Sequence, residues 1–130
     1  MGDMTAFNGS SDPDRLRARY LDALEAVQDA GDRTITALVA ARDARDIARD
    51  HVKHGRPMAE LENVMEPQAL RASLGDALAQ LERTRHEMQR LLFRLMHAEG
   101  MTLADIGRTY GISRQLVSRL VNEPDPHRAN

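Results

Sequence analysis

The stretch Met101-Thr-Leu-Ala-Asp-Ile-Gly-Arg-Thr-Tyr-Gly-Ile-Ser-Arg-Gln-Leu-Val-Ser-Arg-Leu-Val121 holds the densest local structural signals in the chain. Thr102, followed three residues later by Asp105, has the pattern of a capping box and opens a short helix from Leu103 to about Tyr110. Gly111 supplies a residue that takes positive φ without a Cβ clash, as a tight turn requires. Ser113 is a good N-cap for a second helix, with Arg114 in its first turn and Asn122, Pro124 and Pro126 ending it. Gly107 falls where the two helices must approach closely, and a side chain there would push them apart. Leu103, Ile106, Tyr110, Ile112, Val117 and Leu120 then point inward as a miniature core. The preceding helix over 86–98, with Phe93 and Met96, is the third wall of a trihelical unit.

Working outward, Leu16, Tyr20, Leu24 and Val27 recur every three or four residues, the period of an amphipathic helix. Asp12 reads as its cap and Pro13 as its first residue, which leaves 1–12, polar and rich in Gly, Ser and Asp, as a disordered tail. The pattern resumes from Thr34 to Val52 with Ile35, Leu38, Val39, Ile47 and a strip of alanines. Gly31 leaves open one long helix or two with a kink. His54-Gly55-Arg56-Pro57 is a stop, and Met58–Glu66 has room for a helical turn closed by Pro67. From Gln68 to Ala98, Leu70, Leu74, Leu78, Leu81, Met88, Leu91, Leu92 and Leu95 mark a long helix ending at Gly100. Two long amphipathic helices with a short connection predict an antiparallel hairpin over 13–98, with little core of its own. A second copy would cover its apolar stripes as a four-helix dimer; the alternative is a three- or four-helix bundle within one monomer. Residues 124–130 read as a second tail.

Composition agrees with an all-α fold: 42% hydrophobic and 29% charged residues, but only 3% aromatic, the mixture of long aliphatic-packed helices. With no cysteine there is no disulfide framework, thiolate nucleophile or cysteine-based zinc site. No apolar run approaches the roughly 20 residues of a membrane span, and the N-terminus lacks an apolar signal-peptide core. The expectation is a cytoplasmic, nucleoid-located protein with no membrane partner, no cofactor and no metal. His51 and His54 are expected to be solvated near a helix C-terminus, and His86 and His97 to lie at a surface or interface. The methionines are expected to pack rather than to line a ligand pocket. No Gly-rich phosphate loop and no catalytic pairing of Ser, His or carboxylates occurs at a diagnostic spacing, so no enzyme is expected.

What remains on the outside of the second short helix is Ser113, Arg114, Gln115, Ser118, Arg119 and Asn122, flanked by Thr102 and Arg108. These side-chain types read bases and phosphates: Arg pairs with guanine, and Gln or Asn with adenine. The amides of Ser113 and Arg114 would also receive a phosphate. The net charge of −2 does not oppose this, because phosphates respond to the local face, and 112–121 carries Arg114 and Arg119 and no acid. Arg83, Arg85, Arg90 and Arg94 read as a solvated face leading into this unit, with phosphate contact an open alternative.

The segment from Glu99-Gly100-Met101-Thr102 through Gly111-Ile112-Ser113 to Val117 resembles the helix-turn-helix of bacterial transcription regulators, in particular sigma-factor region 4. The resemblance covers about the last 38 residues. It implies a recognition helix from Ile112 to Asn122 and a supporting helix from Leu103 to Tyr110, with Gly107 standing where many relatives have Ala as a harmless departure. The upstream helices do not resemble sigma region 2. The expected function is a DNA-binding transcriptional regulator whose heads, over 86–123, enter successive major grooves of double-stranded DNA as a homodimer on a palindromic site. Alternatives are a nucleoid-associated DNA-binding protein, or a helical adaptor that docks on RNA polymerase or another regulator.

Overall fold

The computed structural model describes the backbone from Gly2 to Asp125 and the side chains from Asp12 to Asp125. The expectations for Met1 and for 126–130 lie outside the described residues. Among the described residues the protein is all-α, with no strand. Helix α1 spans Gly2–Lys53, a 3₁₀ turn Met58–Glu60, α2 Leu61–Val64, α3 Pro67–Ala98, α4 Leu103–Tyr110 and α5 Arg114–Asn122. Contacts divide the chain into two compact units, residues 1–25 with 85–130 and residues 26–84, so that α1 and α3 each run through both.

In the unit of residues 26–84, α1 and α3 pair antiparallel. The buried positions of α1 are Ala30, Thr34, Ala37, Ala41, Ala44 and His51, spaced by threes and fours except where half-buried Ala48 intervenes. The facing positions of α3 are Leu70, Leu74, Ala77, Leu81 and Thr84, all half-buried. Alanines on one helix let the backbones come close. The Thr34 hydroxyl is shared between the carbonyl of Ala30, at 2.7 Å, and that of Ala77 on α3, at 3.3 Å. The small side chains therefore form the seam, while Ile35, Leu38, Val39 and Ile47 of α1 and Leu78 of α3 stand exposed.

Three sequence expectations change here, and the question left open at Gly31 is answered. The helix backbone begins at Gly2 and Pro13 lies inside it, so 2–12 is helical and Asp12 is not its cap. The fixed φ of proline is itself helical, and its missing N–H removes one bond of a long ladder without ending it. Gly31 leaves α1 unbroken. His51 is buried rather than solvated: it continues the seam and its Nε2–H donates to the Pro57 carbonyl at 2.7 Å, tying the loop back to the helix end. Pro67 opens α3 instead of only closing α2, since a first-turn residue needs no N–H partner.

The other unit holds two clusters. Leu16 and Ala23 of α1 pack on Leu91 and Leu95 of α3, with Tyr20 and Met88 beside them. The second cluster centres on Phe93, Ile106, Val117 and Leu120, with Leu92, Met96, Met101, Leu103, Ile112, Leu116 and Val121 around it. It joins the last turns of α3 to α4 and α5. The expected inward set recurs there except for Tyr110, which remains 42% exposed and lays its ring against Phe93, centroids 5.0 Å apart and tilted by 59°. At the end of α3, Gly100 (φ 111°) lets the Met101 N–H reach the Met96 carbonyl at 3.0 Å, and the Gly100 N–H reaches that of His97 at 3.1 Å. This six-to-one and five-to-two pattern stops the helix and turns the chain into α4.

Candidate functional site

Helices α4 and α5 are short, eight and nine residues, so their caps contribute much of their definition. The Thr102 hydroxyl accepts the Asp105 N–H at 3.1 Å, and the Ser113 hydroxyl accepts the Leu116 N–H at 3.1 Å. Between the helices Gly111 takes φ 68° and ψ 32°, and the Ile112 N–H returns to the Gly107 carbonyl at 2.9 Å. A Cβ on Gly107 would sit 2.7 Å from the Ile112 carbonyl oxygen and 3.5 Å from the Arg114 nitrogen. The close approach is thus between α4 and the turn into α5. Here the glycine is not interchangeable with alanine, which corrects the view of that position as a harmless departure.

Val117 and Leu120 face the core from α5, while Ser113, Arg114, Gln115, Arg119 and Asn122 are exposed and Ser118 is half-exposed. Their polar groups divide into two kinds. Ser113 and Thr102 are committed to capping, and the Asn122 amide nitrogen donates to the Ser118 carbonyl at 2.9 Å and to its hydroxyl at 3.3 Å. The Arg108 guanidinium pairs with the Asp105 carboxylate, so the second half of the expected capping box goes to an ion pair. Arg114, Gln115 and Arg119 have no hydrogen bond or ion pair among the described residues. A shallow notch lined by Leu103, Arg114, Gln115 and Ser118 opens on this face.

Of the upstream arginines expected to form a solvated face, Arg83 and Arg85 are exposed, whereas Arg90 is buried and Arg94 half-buried. Arg90 is 0% exposed. Its guanidinium grips both oxygens of Glu87, at 2.9 and 3.0 Å, and donates to the Glu123 carbonyl at 3.2 Å and to Asp125 Oδ1 at 2.7 Å. Arg19 and Arg94 reach the same Asp125 oxygen at 2.8 and 3.2 Å. His86 Nε2 meets Glu123 Oε2 at 2.9 Å. Hydrogen bonds from Arg19 above all, then from Arg90, outweigh the opposing cost of burial and hold the Asp125 carboxyl far below the usual carboxylate range. Burial alone would lower the basicity of Arg90, but hydrogen bonds and charge from Asp125 and Glu87 reverse this and raise it. Residues 123–125 are therefore not a loose tail: they are bolted to α3 directly after α5. Sequence reasoning missed this cluster because the partners of Glu123 and Asp125 lie 31 to 106 residues away, and only the Arg90–Glu87 pair is local.

Among the described residues no three His, Cys, Asp or Glu side chains gather as metal ligands, and no helix is long and apolar enough to cross a membrane. Comparison of the chain with protein-family models, with curated proteins and with solved structures finds no match.

Proposed function

We propose that the protein is a DNA-binding transcriptional regulator, with α4 and α5 as a helix-turn-helix and α5 as the recognition helix, acting as a homodimer on a palindromic site. One observation carries this reading. The outer face of α5 offers Arg114, Gln115 and Arg119 with no partner among the described residues, whereas Arg19, Arg90, Arg94 and Arg108 nearby are all consumed by carboxylates. Cations left unpaired beside an adenine-reading amide are what base and phosphate contacts use. The turn closed at Gly107 and Gly111 fixes α5 at its N-terminal end, the end that meets the groove in this motif. The reading places Arg114 and Gln115 toward base edges and Arg119 toward bases or phosphate. The Thr102, Ser113, Ser118, Asn122 and Arg108 side chains then hold the scaffold, with the amides at the start of α5 open to phosphate. No enzymatic role is proposed.

The test is selection and sequencing of random-sequence duplexes bound by the full chain, with the Arg114→Ala/Arg119→Ala double variant in parallel. The expected result is an enriched palindromic motif that the variant no longer enriches. Binding without enrichment would place the protein with nucleoid-associated proteins. No binding would overturn the DNA reading in favour of an adaptor for RNA polymerase or another regulator.

A further inference from the structure

The unit of residues 26–84 is built the wrong way round for a self-sufficient hairpin. Its buried apolar residues are alanines alone, Ala30, Ala37, Ala41 and Ala44, while Ile35 is 61%, Leu38 47%, Val39 41% and Leu78 47% exposed. Stabilisation scales with the apolar surface removed from water, so the large aliphatics are where it is to be gained.

The two flanks of the helix pair differ. Arg33, Thr36 and Ala40, each one position before the α1 seam, line a groove together with Ser73, Gln80 and Arg83 of α3. In two antiparallel right-handed helices the positions one after the seam fall together on the opposite flank, and these include Ile35 and Leu38 of α1 and Leu78 of α3. Along the outward face of α1 the charge is arranged in opposite senses about its middle. Asp32, which also reaches the rim of the groove, lies five positions before Ala37 and Arg42 five after, with Ile35 and Val39 at two before and two after. Asp32 has no ion pair among the described residues, and Arg42 has only the contact to its neighbour Asp43 at 3.8 Å.

From this self-complementarity we infer that the outward face of α1 from Asp32 through Ile35 and Val39 to Arg42, flanked on one side by Leu38 and Leu78, is the homodimer interface, filled by a second copy of this chain laid antiparallel about a two-fold axis level with Ala37. Asp32 then meets Arg42 of the second copy, and Ile35 meets Val39, twice over by symmetry. The interface is apolar at its centre and charged at both ends, which specifies register and direction as flanking charges do in antiparallel helix pairs. The inference rests on the dimeric part of the reading above and not on its DNA contacts.

The test is sedimentation equilibrium of the full chain without DNA, for the wild type, Asp32→Arg, Arg42→Asp and an equimolar mixture of the two variants, with circular dichroism confirming helix content. The wild type is expected to be a dimer, and each single reversal to raise its dissociation constant at least tenfold. The mixture is expected to recover it, because one variant then presents only cations and the other only carboxylates at both ends of the interface. As an independent measurement, Leu38→Cys, in a chain with no cysteine of its own, is expected to crosslink to itself on oxidation. A monomeric wild type would overturn the inference and leave this face to a different protein. So would a dimer indifferent to both reversals. The DNA reading fails separately, since the Arg114→Ala/Arg119→Ala variant is expected to remain fully dimeric.

Discussion

At the scale of the residue, two glycines in helices make opposite demands. Gly107 has a backbone carbonyl 2.7 Å from where a Cβ would stand, while Gly31 has nothing within 4 Å. Alanine gains about 1 kcal/mol over glycine in a helix interior, but forcing atoms into a packed site costs about 1–3 kcal/mol. At Gly107 the neighbour is main chain and cannot swing aside, so the clash wins. Gly107→Ala is expected to destabilise the protein by up to about 2 kcal/mol, and Gly31→Ala to stabilise it by up to about 1 kcal/mol, as read by urea unfolding. Equal signs for the two would contradict this account. Arg114→Ala and Arg119→Ala, on exposed side chains with no partner among the described residues, are expected to change stability by less than about 0.5 kcal/mol. Each is expected to weaken duplex binding about tenfold or more, measured by fluorescence anisotropy.

At the scale of the element, α5 is held at both ends by side chains. Ser113→Ala removes the acceptor for the Leu116 N–H and is expected to cost about 1 kcal/mol. Hydrogen exchange of the first-turn amides of α5 should rise before that of α3. At the far end Asp125 binds three arginines. Its folded-state pKa is depressed, so its stabilisation is complete above the ordinary carboxylate pKa of about 4 and is lost as pH falls below that value. Asp125→Asn is therefore expected to be less stable than the wild type at neutral pH, with the gap narrowing in acid, by about pH 3. Denaturant titrations at the two pH values measure this, and a gap that widened in acid would refute the assignment. His86 opposite Glu123 adds a second link from α3 to the same segment.

At the scale of the whole molecule, a net charge of −2 coexists with a locally cationic helix face because most arginines near it are neutralised in place. Few phosphates should then be neutralised per head. The logarithm of the DNA association constant is expected to fall linearly with the logarithm of salt concentration, with a slope of about −0.9 for each phosphate contacted. The Arg114→Ala/Arg119→Ala variant should show a shallower slope in the same titration if either arginine meets phosphate, and an unchanged slope would confine both to base edges.

What the amino-acid sequence determined alone is the part of this protein encoded by neighbours: the all-α class, the caps at Thr102 and Ser113, the stop at Gly100, the turn at Gly111 and the core of Phe93, Ile106, Val117 and Leu120. The caps, stop and turn follow from propensities and spacings within a few residues, and the core from the helical spacing of apolar residues along each of three neighbouring helices. The tertiary structure alone decided which of two apolar stripes on α1 is buried, since alanines and large aliphatics both recur at helical spacing and only the closeness of α3 selects the smaller. It likewise decided the fate of the charges. Arg90 and Arg114 are both helical arginines, yet the first is sealed against Glu87 and Asp125 while the second has no partner among the described residues. Partners brought together across tens of residues by packing set that difference, and it is the difference on which the candidate site depends.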